Sequence, residues 1–157
     1  MKRYLFKFGT HVMALALIGA ISLTVLAAPR PFHLVEHGQI TATPRDASGS
    51  VLDVVATGAG TATHLGAFTV ERTATLTATS TPGIFDFKGE AILTAATGEK
   101  LTTEIDGTFN AATGHADLAY EWTGGTGRFE HATGFTFWSV DVANGEYDVV
   151  ANGQIIY

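Results

Sequence analysis

From Phe68 to Thr79 the chain alternates without a break: Phe68, Val70, Arg72, Ala74, Leu76 and Ala78 fall on even positions, and Thr69, Glu71, Thr73, Thr75, Thr77 and Thr79 on odd ones. Successive side chains of a pleated strand point to opposite sides, so this is a strand with one apolar face and one threonine face. Arg72 is the single charge on the apolar face. The helical spacing of three and four residues is missing from this stretch and from the chain around it.

The same period returns downstream. Phe85, Phe87, Gly89, Ala91, Leu93 and Ala95 alternate with Asp86, Lys88, Glu90 and Thr94, and Leu101, Thr103, Ile105, Gly107 and Phe109 with Thr102, Glu104, Asp106 and Thr108. Ala116, Leu118, Tyr120 and Trp122 alternate with Asp117, Glu121 and Thr123. Thr97–Lys100 and Asn110–Gly114 have the small, polar composition of hairpin loops, and Asn144-Gly145 is the dipeptide favoured in tight ones. The pattern predicts strands near residues 34–43, 50–58, 61–79, 84–96, 100–109, 115–123, 133–141 and 146–156, paired antiparallel. Eight strands of an all-β domain suit a closed barrel or a two-sheet β-sandwich. Gly58, Gly66, Gly89, Gly107 and Gly153, read as inward, suit the close packing of a barrel. Alternation alone leaves both architectures open.

The 157 residues make one domain, large enough to support a core without cross-links. Cysteine is absent, which excludes disulfides, thiolate nucleophiles and Cys-ligated zinc. Lys2, Arg3 and Lys7 precede an apolar run from Val12 to Leu26, within the length of a signal-peptide core and short of the ~18 residues wanted for a membrane span. Residues 1–27 therefore read as a signal peptide cleaved near Ala27, with 28–157 as the β domain, secreted or periplasmic and not inserted in a membrane after cleavage. An uncleaved N-terminal anchor is the alternative. Without the leader, six basic residues face fifteen acidic ones, a charge of about −9 that repels phosphate backbones and argues against a nucleic-acid partner.

Motifs with chemical content are few. His33-Leu34-Val35-Glu36-His37 matches H-x-x-E-H, but that pattern binds zinc on a helix, and this stretch runs from a proline-containing tail into a strand. No zinc and no cofactor is expected. His64, His115 and His131 are scattered, and Ser22, Ser48, Ser50, Ser80 and Ser139 have no evident His/Asp partners in sequence, which leaves partners in space open. Period two places Glu71, Asp86, Glu90, Glu104, Asp106, Asp117 and Glu121 outward, which counts against paired interior carboxylates. Gly124-Gly125-Thr126-Gly127 reads as a sharp turn rather than a phosphate cradle, which needs a helix to follow, and Arg128 is expected to pair with an acid such as Glu130 or to be solvated.

The run Gly124-Gly125-Thr126-Gly127-Arg128-Phe129, followed by Ala132-Thr133-Gly134, resembles the G-G-[ST]-G-x-F segment of the allene oxide cyclase-like barrels. That group includes dirigent proteins and small bacterial relatives. The resemblance extends loosely over residues 34–157, including the stretch at 60–70, and implies an eight-stranded, lipocalin-sized barrel. Cyclases of this group act on a fatty-acid-derived epoxide with polar groups that include a carboxylate, and dirigent-like relatives steer small aromatic substrates. No catalytic residue transfers to a matched position here.

Three functions are open. The first is a barrel that binds a small hydrophobic molecule, with Phe68, Phe85, Phe87, Tyr120 and Trp122 as apolar lining and Arg72 as polar anchor; the same aromatics could equally be core. The second is an isomerase or cyclase, which requires an interior acid or base of shifted pKa. The third is a structural or surface-interaction module, with Trp138 and Val140 beside Thr136 as an exposed face. For Arg72 itself there are three placements: snorkelling to a rim, an outward turn at a bulge, or a meeting with a carboxylate in the cavity. In the last case an acidic amphiphile is the expected ligand, and Arg72→Met should keep the fold and abolish its binding.

Overall fold

In the computed structural model the described residues are 27–157, and the predicted leader up to Leu26 lies outside them. The strands are β1 (Arg30–Pro44), β2 (Val51–Ala62), β3 (Gly66–Ala78), β4 (Ile84–Ala95), β5 (Lys100–Asn110), β6 (His115–Gly125), β7 (Thr133–Ala143) and β8 (Glu146–Ile156). Each pairs antiparallel with its neighbour in sequence, and β8 returns to β1, opposite which Val150 lies across from Val35. The sheet is thus a closed barrel, and the sandwich alternative falls. Closure leaves no strand edge open.

The alternation explains which side faces in. In β3, Phe68, Val70, Arg72, Ala74 and Leu76 are buried while Thr69, Glu71 and Thr73 are exposed. Between β2 and β3 the chain turns at residues 63–65, later than the predicted break. Gly66 is accordingly exposed at a turn with φ +70 rather than inward, a conformation that glycine adopts without steric cost. The β7–β8 turn is the tight hairpin that Asn-Gly favours, with φ 56 at Asn144 and 79 at Gly145.

The two barrel ends differ. One carries the β2–β3, β4–β5 and β6–β7 connections and is closed by side chains: Leu65 from the first, Phe129 and Ala132 from the last, all buried. Phe129 stands on a single 3-10 turn, Gly127–Phe129, and meets Tyr157 edge-on at 5.1 Å. Phe32 packs on Trp122 beneath it at 4.8 Å. The glycine run therefore shapes a lid over the core. Arg128 pairs with Glu99 at 3.0 Å and not with Glu130, because the β4–β5 loop lies beside the 3-10 turn. The opposite end carries only short polar hairpins, and there Ile40, Leu52, Phe85, Phe109 and Val142 are partly buried against the core.

Candidate functional site

Halfway down the barrel, inside, lies an ion pair. Period two on β1 turns Phe32, Leu34, Glu36 and Gly38 inward, and the same rule on β3 turns Arg72 inward; Glu36 is 1% and Arg72 4% exposed. Arg72 Nη1 donates to Glu36 Oε1 and Nη2 to Oε2, both at 2.7 Å. This two-pronged geometry is the strongest form of the pair. Tyr147, from β8, donates its hydroxyl to Glu36 Oε1 at 2.6 Å and accepts from Arg72 Nη1 at 2.5 Å. Trp138 and Tyr120 stack on each other at 4.1 Å, and the guanidinium carbon lies 4.6 Å from the Trp138 ring centre and 5.6 Å from that of Tyr120. Those distances let the aromatic faces share the charge.

Of the three placements open to Arg72, the interior one holds, and the carboxylate it meets is the chain's own. Burial works against the Arg72 charge, but Tyr120, Glu36 and Tyr147 more than reverse this and raise its pKa, so it is always ionised. Burial pushes the Tyr120 phenol up to about 12 although Arg72 opposes the rise, and Tyr147 moves in the same direction for the same reason. Both phenols are protonated near neutral pH. The pair leaves the interior with no net charge. One polar atom stays unmatched: Arg72 Nε is buried and has no hydrogen-bond partner among the described residues.

Small residues make space for this cluster. Arg72 stands opposite Ala56 on β2 and Ala91 on β4, while Gly38 and Gly58 face each other beside the Tyr147 hydroxyl. Next to the cluster remains a cavity of about 30 Å³ lined by Arg72, Tyr120, Trp138 and Tyr147, with Ile40 and Val142 toward the open end. That is the room one water molecule takes. A wider hollow of about 660 Å³ lies on the outer wall, but Arg45 and Lys88 there are bound to Asp53 and Asp106 in solvent, so the interior is the better candidate.

Among the residues anticipated as ligand lining, Arg72, Phe87 and Tyr120 border this cavity. Phe85 is half-buried at the open rim. Phe68 and Trp122 belong to the capped half, where the Trp122 indole donates to the Gln154 carbonyl at 3.1 Å. Glu36 and Tyr147 were missed. The signal for Glu36 was its even position beside Phe32 and Leu34, obscured by the H-x-x-E-H reading and by a strand start placed too late. In a strand that motif comes apart: His33 and His37 are outside, hydrogen-bonded to Asn152 and Asp148, and Glu36 is inside.

One further expectation changes, and one that the sequence left open is answered. Thr136, Trp138 and Val140 are buried, since even positions of β7 face inward, so they form no contact face; Phe135 and Phe137 are the exposed aromatics of that strand. Ser139 does have spatial partners. Its hydroxyl is 3.3 Å from His115 Nε2, and His115 Nδ1 is 2.6 Å from Asp141. Asp117 approaches the same Nε2 at 3.4 Å, and the whole group stands on the outer wall as a solvated charge cluster.

No family model and no curated protein matches the sequence. Among solved structures, a pterocarpan synthase dirigent protein superposes with a TM-score of 0.57 at 14% identity, over 84% of this chain and 97% of the other. The chain thus has a dirigent-like eight-stranded barrel. At that identity the likeness speaks for the fold.

Proposed function

We propose that this chain is an exported barrel of the allene oxide cyclase-like and dirigent-like kind that binds a small hydrophobic molecule through the open end of its interior. The observation that carries the reading is the charge-balanced Glu36–Arg72–Tyr147 cluster at the bottom of an apolar mouth. Binding sites combine apolar walls with few convergent polar groups, and a barrel needing only stability would do as well with apolar residues of like volume. Export rests on the basic, then apolar, N-terminus, and intact-mass analysis of secreted protein should find cleavage near Ala27. The outward acids, Glu71, Asp86, Glu90, Glu104, Asp106, Asp117 and Glu121, are all exposed and suit a wall that faces water.

Titration with a neutral naphthalene-type fluorescent probe tests the binding. Saturable one-to-one binding that is lost in Ala56→Leu, which fills the cavity beside Arg72, supports it. A fully folded protein that binds no apolar probe overturns it. A second reading, cyclase or isomerase, is favoured by the Tyr147–Glu36 hydrogen bond, which places a proton between two interior oxygens. It requires that Glu36→Gln retain binding while turnover disappears.

A further inference from the structure

Resting on the interior binding site proposed above, the geometry points to a ligand that enters tip first and presents an uncharged hydrogen-bond acceptor, a carbonyl or ether oxygen, to Arg72 Nε. Three observations converge. The first is occupancy of the fork. Each Nη group of Arg72 donates to one oxygen of Glu36, and Nη1 gives its second hydrogen to the Tyr147 hydroxyl, which itself donates to Glu36 Oε1. Three of the five guanidinium N–H groups are used, so Nε–H and one N–H of Nη2 remain, and charge rather than a shortage of donors disfavours a carboxylate ligand. The second is charge. With Glu36 and Arg72 already cancelling, an anion would add a second, uncompensated negative charge in a desolvated space beside the first, and a cation would meet no free counter-charge. The third is the unmatched donor itself: Nε belongs to a side chain 4% exposed that lines the cavity, and a buried N–H without a partner is costly until an acceptor reaches it.

Size restricts the rest. About 30 Å³ admits one small group, so the body of the ligand lies outward at the open end, along the partly buried Ile40 and Val142, both apolar. This replaces the acidic amphiphile, which was expected for a guanidinium with no counter-charge of its own.

Three probes of one shape decide it: acetophenone, benzoate and ethylbenzene, followed by NMR at the Arg72 Nε–H and the Trp138 indole N–H. The expected result is that acetophenone shifts both signals and binds about tenfold or more tightly than ethylbenzene, as one hydrogen bond from a charged donor should give, while benzoate binds more weakly than either. Benzoate binding as tightly as acetophenone would overturn the proposal. Equal binding of acetophenone and ethylbenzene would overturn it too, while leaving an apolar site intact. No binding by any of the three overturns the site and the proposal together. As Arg72→Met alone can unfold the chain, the control is Glu36→Met with Arg72→Met and Tyr147→Phe, which removes both charges and the hydroxyl they would leave free, at similar volume. There the preference for acetophenone should vanish while ethylbenzene binding persists.

Discussion

Gly58 lies beneath the hydroxyl of Tyr147, so close that a Cβ added to it would stand 2.8 Å from that oxygen and 2.9 Å from Glu36 Oε1. Gly38, opposite it on β1, is tighter still against the same hydroxyl. Side chains at these two positions would have to push the cluster aside. Gly58→Ala is expected to cost about 1–3 kcal/mol, the usual range for overpacking. Urea unfolding of Gly58→Ala, Tyr147→Phe and the double variant should give a double-variant loss smaller than the sum, because the phenylalanine removes one of the clashing atoms.

Breaking the ion pair from one side should be worse than removing it. Arg72→Met strands a buried Glu36 carboxylate and is expected to lose about 3–5 kcal/mol, whereas the double replacement by methionine should come out near the parent. Equilibrium unfolding checks the order, and an Arg72→Met as stable as the parent would contradict it. The fold is therefore not expected to survive that single change unharmed, unlike the expectation drawn from sequence.

His115 adds a pH dependence on the outer wall. Its pKa is raised, first by the hydrogen bond to Asp141, which outweighs the lowering by burial that ranks next, and then by the charges of Asp117 and Asp141. Asp117 sits on its own strand and Asp141 on β7, with Asn110 opposite on β5. A raised folded-state value means that the contribution is fully present below the unfolded histidine pKa and is lost as pH rises through the folded one. NMR titration should place His115 above a free histidine, and Asp141→Asn should lower it.

At the alkaline end Tyr120 behaves likewise. Its phenol ionises at about 12 against 10.0 for the free group, so folding stability should fall as pH climbs between those values. Ultraviolet titration should show two phenols, Tyr120 and Tyr147, that ionise only near the unfolding transition, and Tyr120→Phe should remove one of them.

The alternation was legible wherever strands are long and threonine marks the outside, as from Phe68 to Thr79, and Asn144-Gly145 marked its hairpin by backbone preference alone. Arg72 stood out because one charge on an apolar face is conspicuous. Its partner did not. Glu36 is 36 residues away in sequence and comes into reach only because β1, β2 and β3 lie side by side, a fact of register that local patterns do not contain. Tyr147 is farther still, joined through the β1–β8 closure. The β2–β3 turn was misplaced for a different reason: Gly58, Ala59, Gly60, Thr61 and Ala62 are too small and too uniform to show which side faces in.

The same closure has a kinetic consequence. Seven of the eight pairings join strands that are adjacent along the chain and can zip up hairpin by hairpin, but β1 must find β8 after more than a hundred intervening residues, as the Tyr147–Glu36 separation of 111 shows. Such long-range pairing is entropically the most demanding step and tends to come last. Tyr147 then reaches Glu36 only once the ring has shut, so the hydrogen bonds that clasp the seam resist opening more than they speed assembly.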